Sequence, residues 1–521
     1  MKYRFLVLLL IICLNIDAQD LSNTMTVTAG TAMIIKSGTS LDAGEFNLKS
    51  TSDRFATVLD ETGGISSATV VNYDRYVNIV SDGSNTGNDL IALPVKTAVA
   101  TFGDFLNYSA DYNVTTNSQS IPTNGTLYAF GPYNNVNQSY TNYASATSGN
   151  GDVLERAVGY RAATNLGGTL RFTGTISQST ETVSITTAGG NKWNSVGNPY
   201  PTYLDSQVFL TENGANLDPS ATAIYAYNNG LESGEGVIGN FTIINNLVNT
   251  TKKIAPGQGF LVADSGATDN EISFTTAMRV FSGSDDFIPG RDENTNQMLR
   301  LKAEHANGNF ATEIYFNGNS TQGLDSGYDA KLYGEAYLNF SLYSHLVEDN
   351  VGTSMAIQSL GTIDVNDVVI PLGLKASQGQ QVTFSIEDTS LSNDVEVYLE
   401  DNLVNTFTLL NESNYTFVAN TELSGTGRFY LRFGNTTLSQ IDNELNSLNL
   451  YTANQRIFVE GQLLETTQVD VYDTLGRLVM GSRLETGSTT NEIDATQLSA
   501  GIYIVKLTNE KQKLSKKVIL K

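Results

Sequence analysis

The stretch Val382-Thr383-Phe384-Ser385-Ile386 alternates apolar and polar residues one for one. Successive side chains of an extended strand point to opposite faces, so Val382, Phe384 and Ile386 face a core while Thr383 and Ser385 face water. The same period of two returns in Leu299-Arg300-Leu301-Lys302-Ala303 and Phe429-Tyr430-Leu431-Arg432-Phe433. It is present earlier, in Thr169-Leu170-Arg171-Phe172-Thr173 and Val183-Ser184-Ile185-Thr186. Clusters of Gly, Asn and Ser separate these runs, and no window longer than ten residues between 70 and 282 carries a helical period. The chain reads as all-β.

Length and composition bound the rest. A chain of 521 residues is too long for one core and predicts several β domains in series. Lys and Arg number 30 against 54 Asp and Glu, a formal net charge of −24. The excess is uneven: residues 19–444 carry 19 Lys and Arg against 45 Asp and Glu, whereas residues 445–521 carry nine against eight. A body this acidic is unsuited to holding nucleic acid by its phosphates or to an anionic membrane surface. The one cysteine, Cys13, lies in an N-terminal apolar run, and the two histidines are His305 and His345. Disulfide frameworks, Cys–zinc sites, thiolate nucleophiles and multi-imidazole chemistry are therefore poorly supplied.

Five segments follow along the chain. Lys2 and Arg4 precede the apolar run Phe5–Leu14, and a polar stretch then ends at Ala18. That order predicts a secretory signal peptide over 1–18, cut between Ala18 and Gln19. Its run of ten apolar residues is shorter than the ~20 a membrane-spanning helix needs. Residues 19–70 place short strand-like pieces at a spacing of about ten, as in Met25-Thr26-Val27-Thr28 and Ala32-Met33-Ile34-Ile35-Lys36. Stacked rungs of a short parallel β-solenoid or a meander would both read this way, and the solenoid is preferred. A β-rich domain over 71–282 ends at the acidic, Pro- and Gly-bearing stretch Ser282–Gln297. Residues 298–437 predict a β-sandwich of antiparallel strands over a shared core. After the polar linker 437–447 comes a last β unit, 448–521.

That last unit carries three blocks in order: Val469-Asp470-Val471-Tyr472-Asp473-Thr474-Leu475-Gly476-Arg477-Leu478-Val479, Leu498-Ser499-Ala500-Gly501-Ile502-Tyr503-Ile504-Val505-Lys506-Leu507 and Ser515-Lys516-Lys517-Val518-Ile519-Leu520-Lys521. Together they resemble the type A C-terminal sorting domain of proteins exported by the type IX secretion system. Leu450–Val459 stands where many members open with a Pro-Asn-Pro segment. The resemblance implies an immunoglobulin-like β-sandwich, read by the outer-membrane translocon and then removed by the signal-processing machinery. It implies a secreted or outer-surface protein, with Gly476, Arg477, Gly501, Tyr503, Lys516 and Lys517 carrying the signal. The glycines would allow turns that other residues resist, and the lysines would offer charge to an acidic receptor. Blocks between about 70 and 265, among them Lys192-Trp193-Asn194-Ser195-Val196-Gly197-Asn198-Pro199-Tyr200-Pro201, resemble segments of large β-rich cell-surface proteins of the same secretion class.

Candidate chemistry in the body is sparse. Trp193 and Tyr200 could form a ligand surface, but a structural turn after a buried Trp is the preferred reading of Asn198-Pro199-Tyr200-Pro201, where one Pro could be cis. Six tyrosines between Tyr108 and Tyr143 suit a contact surface or half-buried strands. Asp82 and Asp89 in one loop, and Asp325 and Asp329 in another, offer oxygens for Ca²⁺, although neither loop has EF-hand spacing. No G-x-S-x-G, H-E-x-x-H or P-loop string is present, so no catalytic residue, and no cofactor other than Ca²⁺, is expected. The reading is a non-catalytic, adhesin-like surface or secreted protein with a glycan or protein ligand. A secreted hydrolase or carbohydrate-active protein with an unrecognised carboxylate pair is the alternative, and an accessory protein of the surface layer is a third. An exposed Tyr-lined face would favour the first, and a cleft with two facing carboxylates the second.

Overall fold

The protein was analysed as a computed structural model that describes residues 23–520 apart from 62, 79–87, 98–100, 109–115, 145–151, 166–167, 228–240, 249, 284–295, 335–337, 435–447, 462, 464, 488–489 and 510–512. The signal segment with Ala18 and Gln19, Asp82, Tyr112 and the 437–447 linker lie outside the described residues. What is described is all-β, with many sheets in series.

The first strands pair in parallel. Thr24–Val27 lies beside Glu45–Lys49, which lies beside Val70–Val77, with Thr24 opposite Glu45 and Glu45 opposite Val70. A second column pairs Ala32–Ile35 with Thr57–Asp60, also parallel, and Leu41 bridges Ile65 in a third. The chain thus returns to the same column on each pass, which is the winding of a solenoid and not of a meander. Parallel in-register stacking puts like on like: Val27, Leu48 and Tyr73 form one buried stack. Asn72 donates to Asn47 across the next position at 2.9 Å. The last rung is closed by antiparallel pairing with Gly168–Gly174, which leaves no free edge on that side.

Residues beyond this stack build small antiparallel sheets and short helices. The helix Ser206–Asn213 starts where the Asp205 carboxylate accepts from the backbone N–H of Gln207 and Val208. It lays Phe209 against Phe260 and Phe274 in a separate core.

Residues 297–434 depart from the expected pair of antiparallel sheets. Their eleven strands form one hydrogen-bonded sheet, and Gly308–Asn317 pairs with Met355–Gly361 in parallel. The long connection between those two strands is what a parallel crossover needs. The sheet folds over so that its two ends share one core. Phe384 and Phe417, near one end, each lie 5.0 Å from the Phe429 ring, which belongs to the other half.

The C-terminal unit has two sheets. Asn449–Ala453, Arg456–Glu460 and Thr490–Asp494 form one; Leu478–Leu484, Thr467–Asp473, Gly501–Thr508 and Lys513–Leu520 form the other. Leu450, Ile457 and Val459 meet Val469, Val471, Val505 and Leu507 in the core between them.

Candidate functional site

The turn Asp473–Arg477 is built by local chemistry. Gly476 takes φ +78°, a left-handed conformation that strains any residue with a Cβ. One Asp473 carboxylate oxygen accepts from the backbone N–H of Leu475 and of Arg477, and the other accepts from Arg477 Nε at 2.7 Å. The Arg477 backbone N–H, first among these, holds the Asp473 carboxyl below the usual range. Asp473 was not among the expected signal residues. The Asp-x-x-Gly-Arg spacing is the local signal that identifies it.

The other expected signal residues divide. Tyr503 is buried, and its hydroxyl donates to the Ser499 carbonyl at 2.8 Å. Gly501 does not use glycine's freedom: its φ is not positive, and an added Cβ would make only ordinary contacts with Tyr503 and Ser499. Lys516 is half-buried and faces Glu348 and Asp349 of the body; burial lowers its pKa and those carboxylates act against the lowering. Lys517 is exposed.

Lys516 marks a contact between the C-terminal unit and the 297–434 sheet. Tyr451 packs on Gly352, where an added Cβ would lie 2.6 Å from the ring. His345 meets the same ring edge-on at 5.9 Å and stacks on Tyr343 at 5.6 Å. Burial pushes the His345 imidazole down to about 4, so at neutral pH it is an uncharged ring. The Tyr451 hydroxyl donates to Glu460 at 2.8 Å, and burial pushes the Glu460 carboxyl up to about 7.

In the body, Trp193 and Tyr200, the candidate ligand surface, are inside. Trp193 is 8% exposed and lies edge-on to Tyr225 and Tyr333 at 4.7 and 4.8 Å. The Tyr225 hydroxyl donates to the Lys331 carbonyl at 2.7 Å. Trp193 therefore fastens the Trp193–Gly197 sheet to the 297–434 sheet, in a core that also holds Met298, Tyr315 and Ile357. Tyr200 is fully buried, with its hydroxyl 2.7 Å from the Ser179 carbonyl and 2.5 Å from that of Phe274. Burial pushes the Tyr200 phenol up to about 12. Neither residue forms a ligand surface, and the described peptide bonds, those before Pro199 and Pro201 included, are trans. The tyrosines Tyr108, Tyr128, Tyr133, Tyr140 and Tyr143 are half-buried, packed on Phe102, Phe105 or one another.

The Ca²⁺ expectation meets carboxylates already engaged. Asp89 accepts from the backbone and the side-chain amide of Asn78 at 2.7 and 2.6 Å. Asp329 is fully buried and accepts from the backbone N–H of Asp325 and Ser359, each at 2.7 Å. Burial pushes its carboxyl up to about 7. Asp325 accepts from the Thr321 N–H at 2.6 Å. The carbonyls of Gly327 and Tyr328 meanwhile bind Asn246 and Asn245, so this loop clasps two parts of the body. Among the described residues, no group of three or more His, Cys, Asp or Glu is placed to hold a metal ion.

Two clefts remain. One, of about 600 Å³, opens at the end of the eleven-stranded sheet. Phe316 and Val365 line its apolar part; Asn296, Asn317, Asn366, Thr362 and Ser392 supply amides and hydroxyls, and Asp394 is its one ionisable lining residue among those described. The other, of about 420 Å³, is lined by Lys96, Glu155, Arg156 and Glu181, with Arg156 Nε 3.6 Å from Glu181. Arg156 also donates to the Thr175 carbonyl at 2.8 Å, and burial lowers its pKa.

Comparison with known proteins adds the following. Residues 12–433 match the family described as Domain of unknown function (DUF8693). Residues 453–521 match the secretion system C-terminal sorting domain. No curated protein matches the chain. A solved structure titled "Biofilm associated protein - BSP domain" aligns with 66% of this chain and 96% of its own, at 9% identity and a TM-score of 0.14, a likeness too slight to carry an argument. The C-terminal unit is a type IX sorting domain, and it marks the chain for export to the cell surface or the medium. No helix among the described residues is long and apolar enough to cross a membrane.

Proposed function

The chain belongs to the DUF8693 family, and from that premise we propose that its exported body is a non-catalytic, adhesin-like binding protein. The 600 Å³ cleft carries this reading. Amides and hydroxyls around an apolar floor can exchange hydrogen bonds with a polar ligand such as a glycan. A single carboxylate supplies an acceptor but not the acid and base pair that glycoside hydrolysis uses. The test is binding of the purified body to an immobilised glycan panel, with Asp394→Ala and Asn366→Ala as cleft variants. Affinity should fall by about tenfold for each, the equivalent of one lost hydrogen bond. Unchanged binding in both variants, or turnover of the bound glycan, would sink the reading.

One observation favours the hydrolase alternative. The smaller cleft brings Glu155 and Glu181 to one site beside Arg156. If glycan turnover is seen, and Glu155→Gln or Glu181→Gln abolishes it, that reading replaces the first.

A further inference from the structure

We propose that the outward face of the four-stranded sheet in the C-terminal unit is the surface that docks on the export machinery, and that its partner is a protein surface with an apolar centre and an acidic rim. The proposal rests on the export reading above and adds to it the face and the partner's chemistry.

Strand alternation creates the face. Gly501–Thr508 sends Tyr503, Val505 and Leu507 into the core and turns Ile502, Ile504 and Lys506 outward. The neighbouring strand turns Lys517 and Ile519 outward while Val518 and Leu520 are buried. Pairing sets Ile502 opposite Ile519, and Ile504 between Lys517 and Tyr472. Tyr472 in turn lies opposite Leu478. One contiguous patch results, in which Leu478, Ile502, Ile504 and Ile519 are 58, 45, 38 and 40% exposed.

The same face behaves differently at its other end. There the outward positions are Gln468, Asp470, Lys506 and Ser515, the polar set a solvated sheet face ordinarily has. The apolar half is therefore a local feature and not a property of the whole unit. A lone exposed isoleucine needs no explanation, whereas a cross-strand patch of this kind marks an interaction site.

Two facts select the partner. The contacts described between this unit and the body run through Tyr451, Glu460 and Thr490 on the other sheet, Gly461 beside it, and Lys516. The apolar patch is not consumed by them. Lys516 turns its charge to Glu348 and Asp349, while Lys517 and Lys506 stand exposed at the rim of the patch. A partner with acidic groups around an apolar centre is repelled by the body, where Asp and Glu outnumber Lys and Arg 45 to 19 over residues 19–444, and is attracted at this one end. The charge contrast thus directs the partner to the tail.

The experiment uses the full chain in the producing cell, with extracellular and periplasmic material separated and quantified. Three forms are compared with the parent: Ile502→Thr with Ile504→Thr, which keeps β-branched residues on the strand; Lys517→Glu; and deletion of 448–521. The melting temperature and oligomeric state of each purified form are measured alongside. The double variant should melt within a few degrees of the parent and lose about tenfold in extracellular yield, and Lys517→Glu should lose about threefold. Parental export of a normally melting double variant, with the deletion form retained in the periplasm, overturns the face and leaves the export reading intact. Export of the deletion form overturns that reading instead. If the double variant melts early, Lys517→Glu decides, and its parental export overturns the proposal. A dimeric parent that turns monomeric in the double variant, with export unchanged, assigns the face to self-association and also overturns it.

Discussion

In the body, the Asp74 carboxylate is sealed between Arg171, which donates through Nε and Nη2 at 2.7 and 2.8 Å, and Lys49 at 2.6 Å. Asp401 is likewise buried, held by Arg428 Nη2 and the Tyr415 hydroxyl at 2.7 Å each, with the guanidinium over the rings of Phe417 and Phe429. In the C-terminal unit the arrangement is inverted. Its Asp473–Arg477 pair stands in an exposed turn, while isoleucines on the sheet face water. The body spends fixed charges on internal order and carries the acidic excess, with exposed apolar residues such as Ile363 and Val136 of its own. The tail keeps its core apolar and leaves apolar side chains outside, where a partner can cover them.

The contrast is sharpest at Asp401. Asp401→Ala would leave the Arg428 guanidinium buried without its carboxylate, and should cost about 3–5 kcal/mol in denaturant unfolding. A loss below about 1 kcal/mol would mean the pair is solvated, and the two regions would then treat charge alike.

A smaller effect, legible through pH, is expected where the two regions meet. Unfolded, Glu460 releases its proton near 4.5; in the fold it holds the proton to about 7 because it is buried. Between those values the folded chain binds more protons than the unfolded one, so this group makes stability fall as pH rises from 4.5 to 7. Glu460→Gln should therefore raise the melting temperature at pH 8 relative to the parent, with the gain vanishing towards pH 4. An equal shift at both pH values would exclude titration of Glu460 as the cause.

Within the tail, Tyr503→Phe should cost about 1 kcal/mol, the worth of the hydroxyl's bond to Ser499. Arg477→Ala should leave the melting temperature unchanged, because the pair it breaks is screened by water. A clear drop for Arg477→Ala would show that this turn supports the unit's stability, and its place as the counter-example to Asp401 would be lost.

Much of this was readable without coordinates. The period of two at 382–386 and 429–433 names the strands, and the structure buries Phe384, Leu431 and Phe433 accordingly, but it also buries Ser385 and Tyr430 on the opposite face and leaves Ile386 half-buried, because neighbouring parts of the fold cover both faces. The three tail blocks identify the sorting domain. The Asp-x-x-Gly-Arg turn is local chemistry and could have been drawn from the letters alone. The partners of Trp193 were harder, because an aromatic beside a Pro-rich turn does not name the distant Tyr225 and Tyr333 that cover it. The aspartates of 325–329 likewise read as free oxygens until Ser359, thirty residues on, is found donating to one of them.

Alternation, turn residues and charge distribution are set within a few residues, by Cβ direction, φ preference and side-chain charge, and so an all-β, exported chain with an acidic body and a nearly neutral tail is legible from the amino acids alone. Which strand pairs with which is a choice among distant partners, made by packing and by the cost of closing the connecting loops. Long-range packing fixes that the first rungs stack in parallel and that the 297–434 sheet folds over as one. It also decides that Trp193 joins two sheets, and that Lys516 faces the body while Ile502, Ile504 and Ile519 face water.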